Sequence, residues 1–258
     1  MNNNPLLLER DHGLAKITLN LPEIRNALSL EIRMDLADLF KKLGADESVK
    51  AVILTGAGKA FCSGGDIRTM EGLTPVAARI RLKKGHILIK TMRELEKPII
   101  GAINGVAAGA GVSIALACDC LVAAEEASFA VTFSKIGLVP DLGLFYLLPL
   151  RVGLAKAKEI MFTGDPIGAR EAERIGLVNR VVPAEAVMKE ASALATRLAQ
   201  GPGQSLAMIK TALNHWPAGL DSFLEMESTM QAVAFSSRDF EEGRTAFLEK
   251  RKPVFKGE

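Results

Sequence analysis

The chain has 258 residues, 48% hydrophobic and 24% charged, enough to bury a core as one large domain or as a domain with a helical appendage. Thirty-two Lys and Arg against 30 Asp and Glu give a formal charge of +2, which excludes a global field selecting nucleic acid or an anionic membrane. Cys62, Cys118 and Cys120 form an odd set without disulfide or zinc-ligand spacing, so reduced thiols, a cytoplasmic setting and no metal are expected.

The opening MNNNPLLLERDHG has no basic region and only three consecutive leucines, unlike a signal or transit peptide. Residues 13–19 alternate as a strand, and 26–43 carry Leu28, Ile32, Leu36, Leu39 and Leu43 on one helical stripe. A buried strand is predicted over 51–55, followed by a Gly-rich loop over 56–66 and a basic, amphipathic segment over 75–96. Then come a strand over 97–103, a small-residue helix over 109–117, and strands over 121–124 and 128–131. The apolar run 99–124 is broken by Asn104-Gly105 and by Gly101, Gly109 and Gly111, so it reads as strand, turn and buried helix, not as a membrane span. From about Gly153 the pattern predicts helix after helix, over 184–199, 202–214, 220–235 and 238–250. Strands followed by a helical tail predict an α/β core with a helical C-terminal subdomain, and no strong sequence repeat is visible.

Two glycine-rich loops carry the candidate chemistry. One is Ala60-Phe61-Cys62-Ser63-Gly64-Gly65-Asp66; the other is Asn104-Gly105-Val106-Ala107-Ala108-Gly109-Ala110-Gly111. Neither is a P-loop or a dinucleotide fingerprint, and each alone is a tight turn. A helix beginning near Gly109 leaves backbone N–H groups without internal partners, and a free N–H at Gly65 converging on the same point would complete an oxyanion hole.

The run Phe61-Cys62-Ser63-Gly64-Gly65-Asp66-Ile67, then Lys97-Pro98-Ile99-Ile100-Gly101-Ala102-Ile103-Asn104-Gly105, resembles the crotonase (enoyl-CoA hydratase/isomerase) superfamily. Phe162-Thr163-Gly164-Asp165-Pro166-Ile167-Gly168-Ala169, Pro22-Glu23-Ile24-Arg25-Asn26-Ala27-Leu28 and Phe247-Leu248-Glu249-Lys250-Arg251 extend the likeness, in order, over nearly the whole chain. The resemblance implies a spiral of repeated ββα units over residues 1–195 and a helical oligomerisation subdomain over 196–258. It implies an acyl-CoA thioester substrate, no separate cofactor, and a homotrimer or a hexamer. It also implies an oxyanion hole from the N–H groups of Gly65 and Ala110. Substrate contacts would come from Arg25, Ala27, Ser63, Asp66, Ile67, Arg68 and Phe133, with Arg68 near the CoA phosphates.

Typical hydratases of this family carry two glutamates where this chain has Ser113 and Phe133. Water activation and proton delivery are normally shared by two carboxylates, so the expected reaction shifts. The run Phe133-Ser134-Lys135-Ile136-Gly137-Leu138-Val139-Pro140-Asp141 is similar to that of enoyl-CoA isomerases, in particular the ring-opening isomerases of the phenylacetate pathway. These relatives often continue with Gly-Gly-Thr, whereas this chain has Gly143-Leu144-Phe145. Asp141 is thereby expected to act as the single acid/base of a double-bond shift; as a bare sequence feature it could equally be a turn or helix-capping residue. Ser113 reads as a packing residue. The alternatives are a hydratase using Glu71 or Glu94, a catalytically silent CoA-binding subunit, and RNA binding through the basic stretch 79–97. Without aromatic stacking partners, that stretch reads better as a solvated helix face.

Overall fold

The computed structural model describes residues 4–215 and 219–257. Strand β1 (Leu6–Asp11) turns back on β2 (Leu14–Leu19) through His12 and Gly13, both with positive φ, the geometry that matches the twist of a tight antiparallel hairpin. β1 went unpredicted because three leucines followed by three charged residues have no period of two; pairing with β2 decides it. Beside β2 the chain lays β3 (Ala51–Gly56), β5 (Ile99–Ile103), β7 (Cys120–Ala124) and β10 (Arg180–Val182), all parallel. The result is a six-stranded sheet in the order β1-β2-β3-β5-β7-β10. A second, four-stranded sheet takes β4 (Ala60–Cys62), β6 (Val106–Ala108), β8 (Ser128–Ala130) and β9 (Ile167–Gly168) in that order.

From β3 to β8, successive strands alternate between the two sheets. After α1 (Leu30–Ala45), the pair β3 and β4 leads to α2 (Pro75–Glu94), β5 and β6 lead to α3 (Ala110–Ala117), and β7 and β8 lead to α4 (Leu144–Val152). This is the expected ββα spiral. All residues of β3 and β5 are buried, as parallel strands covered on both faces require. Helix α7 (Val187–Ala199) lies over β2, β3, β5 and β7, after α5 (Leu154–Thr163) and α6 (Ala169–Arg174).

The helices α8 (Gly203–Asn214), α9 (Leu220–Phe235) and α10 (Arg238–Leu248) follow. α8 is tied to the core by Lys210, whose Nζ donates to Asp119 Oδ2 at 2.8 Å and to the Lys97 carbonyl at 3.0 Å. Two expectations are corrected. The helical run after Gly153 is interrupted by β9 and β10, strands too short to show a period but long enough to extend a sheet edge. The helix expected from Asn26 begins at Leu30, because Arg25 and Asn26 hold left-handed backbone and Ser29 Oγ caps the Ile32 N–H at 3.3 Å. Among the described residues no helix is long and apolar enough to cross a membrane. The three cysteines are free thiols, Cys62 and Cys118 buried.

Candidate active site

The two glycine-rich loops meet backbone to backbone. A Cβ on Gly64 would stand 2.7 Å from the Ala108 carbonyl oxygen and 3.2 Å from the Ala110 nitrogen; one on Gly111 would stand 2.2 Å from the Cys62 oxygen. Gly64 also has φ +102°, a region closed to most side chains. Two asparagines fasten the approach. Asn26, buried, donates through Nδ2 to the carbonyls of Ala57, Ala60 and Phe61 and accepts the Leu21 N–H at 2.9 Å. Asn104 donates to Gly58 and Ala60 and accepts the Gly56 N–H at 3.2 Å. In the sequence Asn26 reads as the start of a helix and Asn104 as a turn residue; each is a clamp that satisfies loop carbonyls which burial would otherwise orphan.

Within this cradle the N–H groups of Gly65 and Ala110 engage no described residue. Ala110 is the first residue of α3, where no intrahelical acceptor exists, and Gly64 places the preceding loop against it. The stretch Ile24 to Leu28 runs alongside Ser63 to Asp66. The Ser63 N–H donates to the Arg25 carbonyl at 2.9 Å, Leu28 N–H to Gly64 at 2.7 Å, and Ser63 Oγ to Ile24 at 3.2 Å. Arg25, Ala27, Ser63, Asp66, Ile67 and Arg68 are therefore gathered at one rim, with Arg25, Ile67 and Arg68 exposed. Arg68 closes a fork on Asp66, Nε and Nη2 each at 2.9 Å from a carboxylate oxygen.

Next to the cradle lies a cavity of about 670 Å³. Its lining includes Arg33, Met70, Arg81, His86, Phe133 and Asp141, and Asp141 is the one carboxyl group among its lining residues. Asp141 does not cap α4; Gly143 holds that position. The carboxylate is presented by a turn in which Leu142, buried, has φ +49° and Gly143 φ +79°. A leucine in left-handed backbone costs about 1 kcal/mol or more and persists where packing over-determines it. Here the Ser113 hydroxyl also donates to the Asp141 carbonyl at 3.0 Å. Ser113 is thus a tether between α3 and the Asp141 turn, more than the packing residue expected. Asp141 Oδ1 is buried without a hydrogen-bond partner among the described residues, and burial pushes its carboxyl above the ordinary range, with Arg33 and His86 opposing.

Arg33 was not anticipated. It lies on the buried face of α1 with Leu36, Ala37 and Phe40, 2% exposed, and its Nε and Nη2 have no acceptor among the described residues. The available signal was its spacing: a cation three, four and seven residues from apolar positions sits on the apolar stripe, not the solvated face. Gly85, in the middle of α2, leaves room for it; a Cβ there would stand 3.4 Å from Arg33 Nη1. A Cβ on Gly65 would stand 2.7 Å from Arg33 Nη2 and 3.1 Å from Met70 Cε, so Arg33 joins the cradle to the cavity. The rival carboxylates are elsewhere: Glu71 and Glu94 are exposed and line no part of this cavity.

The sequence profile of the enoyl-CoA hydratase/isomerase family matches residues 9–258. The chain belongs to that family. It is 37% identical over 257 residues to the 1,2-epoxyphenylacetyl-CoA isomerase of Escherichia coli, covering 98% of both proteins. It is 35% identical to the crotonyl-CoA hydratase of Syntrophomonas wolfei, covering 97% of both. The crystal structure of an enoyl-CoA hydratase from Bacillus anthracis superimposes with a TM-score of 0.94 at 33% identity, over 99% of this chain and 100% of that one. As an enoyl-CoA hydratase/isomerase, this chain is an enzyme of acyl-CoA esters, with the mixed α/β spiral of its structural relatives.

Proposed function

We propose that this enzyme shifts the double bond of an enoyl-CoA, with Asp141 as the single acid/base. The observation that carries the reading is that Asp141 is the one carboxyl lining the cavity beside the cradle, while Ser113 and Phe133 stand where two-carboxylate hydration needs acids. The carboxylate takes a proton from C2 of a 3-enoyl-CoA; the electron pair moves onto the thioester oxygen, giving a dienolate. The same carboxylic acid then returns the proton at C4, leaving the 2-enoyl-CoA. One carboxylate suffices because the proton leaves and returns on one face. The negative charge on the oxygen is held by the N–H groups of Gly65 and Ala110, donors that need no reorganisation. A raised carboxyl pKa suits this exchange, since base and conjugate acid are then closer in strength to the carbon acid they serve.

The CoA moiety lies along the rim of Ala27, Ser63, Asp66 and Ile67, with Arg25 and Arg68 toward its phosphates, and Phe133 packs against the acyl group. The enzyme is a trimer or paired trimer of the cytoplasm, its C-terminal helices at subunit contacts. Exposed Leu220, Leu224, Val233 and Phe235 on α9, with Phe247 and Leu248, support that assembly by the apolar surface they leave uncovered. The deciding assay supplies 3-enoyl-CoA and 2-enoyl-CoA side by side and measures bond migration against water addition. Migration is expected to dominate; efficient hydration with no migration overturns the reading.

A further inference from the structure

Burying a guanidinium is costly unless its N–H groups are met, yet Arg33 keeps Nε and Nη2 buried without a hydrogen-bond partner among the described residues. Two glycines make room for it. A Cβ on Gly65 would stand 2.7 Å from Nη2, so any side chain there would displace the guanidinium. On the other side, a Cβ on Gly85 would stand 3.4 Å from Nη1, although a glycine in the middle of a helix is itself unfavourable. The cation is also left unneutralised. The acidic groups near it are Asp141 and Cys62, with Arg81 adding further positive charge. Burial pushes the Cys62 thiol up to about 12, so it stays neutral. Asp141 forms no ion pair with Arg33 among the described residues, and its carboxyl stays above the ordinary range in spite of the guanidinium. A buried, unpaired cation therefore lies against Gly65, whose N–H is one of the two assigned to the thioester oxygen. In a low-dielectric interior, a fixed positive charge behind that donor lowers the energy of negative charge arriving on the oxygen, and packing already holds it in place. The neutral thioester gains little from such a charge and the dienolate gains much, which is the difference that accelerates a reaction.

We infer that Arg33 is a positioning residue of the reaction, whose fixed charge, acting through Gly65, stabilises the negative thioester oxygen without touching it. The inference rests on the reading that the Gly65 N–H holds that oxygen. It is independent of whether the double bond migrates or water adds, since either course passes through an enolate.

The thioester carbonyl reports that field directly. Hexanoyl-CoA, isotopically labelled at its carbonyl carbon, is bound to the wild type, Arg33→Met and Arg33→Lys, and its C=O stretch is read by infrared difference spectroscopy. Calorimetric affinity for the same ester and kcat on a 3-enoyl-CoA are measured beside it. The wild type is expected to lower the stretch below that of the free ester, and Arg33→Met to return part of that lowering. In Arg33→Met kcat should fall about tenfold to a hundredfold, less than on losing a donor N–H because the charge acts from further away, with affinity little changed. Arg33→Lys keeps the charge and should retain most of both signals. Methionine removes a buried charge at similar volume, so the variant is expected to fold; should it not, Arg33→Gln, neutral and able to hydrogen-bond, is read by the same criteria. A folded neutral variant that keeps the wild-type stretch overturns the proposal even if kcat falls, since a merely structural arginine would leave the carbonyl unchanged; a folded neutral variant with undiminished kcat overturns it too. A wild type that lowers the stretch, loses this in Arg33→Met, yet migrates no double bond overturns the isomerase reading and leaves this one standing. A wild type that leaves the stretch at its free value overturns the oxyanion hole and this inference together.

Discussion

The glycine cradle and the cavity wall adjoin at Gly65 but are stabilised in different ways. In the cradle, main-chain atoms approach so closely that Gly64, Gly105 and Gly111 admit no Cβ, and Asn26 and Asn104 satisfy the carbonyls that the approach buries. In the wall, Arg33, His86, Phe133 and Asp141 come from four separate segments, and Arg33 Nε, Arg33 Nη2 and Asp141 Oδ1 are buried without a hydrogen-bond partner among the described residues. Under the proposed reading, a region made of backbone holds the thioester whatever the acyl group. Under the same reading, a region made of side chains from separate segments is where the reaction is chosen, since Asp141 lies there.

Replacing the wall's acid is the harshest test of this contrast. Asp141→Asn keeps the shape and removes proton transfer, so isomerisation should fall by about a hundredfold to ten-thousandfold while affinity for a CoA ester changes little. Its stability should also carry a pH signature. Because the folded carboxyl holds its proton more tightly than the unfolded one, Asp141 costs stability progressively as pH rises from the unfolded carboxylate range, about 4, through its raised folded pKa. Asn does not titrate, so the melting temperature of the variant relative to wild type should improve over that interval. A difference that stays flat with pH would show that Asp141 is solvated.

The cradle is tested by Ala110→Pro, which deletes one donor at a helix position that tolerates proline. A loss of about a hundredfold to a thousandfold in kcat is expected, with the circular dichroism spectrum retained. Undiminished turnover in the folded variant removes that donor from the mechanism. The mildest change is Ser113→Ala. It cuts the tether between α3 and the Asp141 turn, worth ~1 kcal/mol, so kcat should drop about fivefold with KM nearly constant. A KM effect with unchanged kcat would make Ser113 a binding residue.

By itself the sequence placed β2, β3, β5, β7 and β8 and both glycine-rich loops along an α/β core, and the resemblance to the family supplied the ββα spiral. Short apolar runs ended by glycine, and asparagine followed by glycine, are local signals that survive without knowing what lies across the fold. It also isolated Asp141, through the likeness of the run from Phe133 to Asp141 to its relatives. β1, β4, β6, β9 and β10 were hidden, since a strand of two or three residues, or one with a charged end, is made by its neighbour. The roles of Asn26, Asn104 and Ser113 were hidden too, because each bonds to partners about 30 to 50 residues away. Only the tertiary structure brought Arg33 from the buried face of α1 to Gly65 and put it in the cavity with Asp141. Spacing along a helix says that a cation faces inward; what it meets there depends on which segments pack against it, and that is decided by the folded chain as a whole.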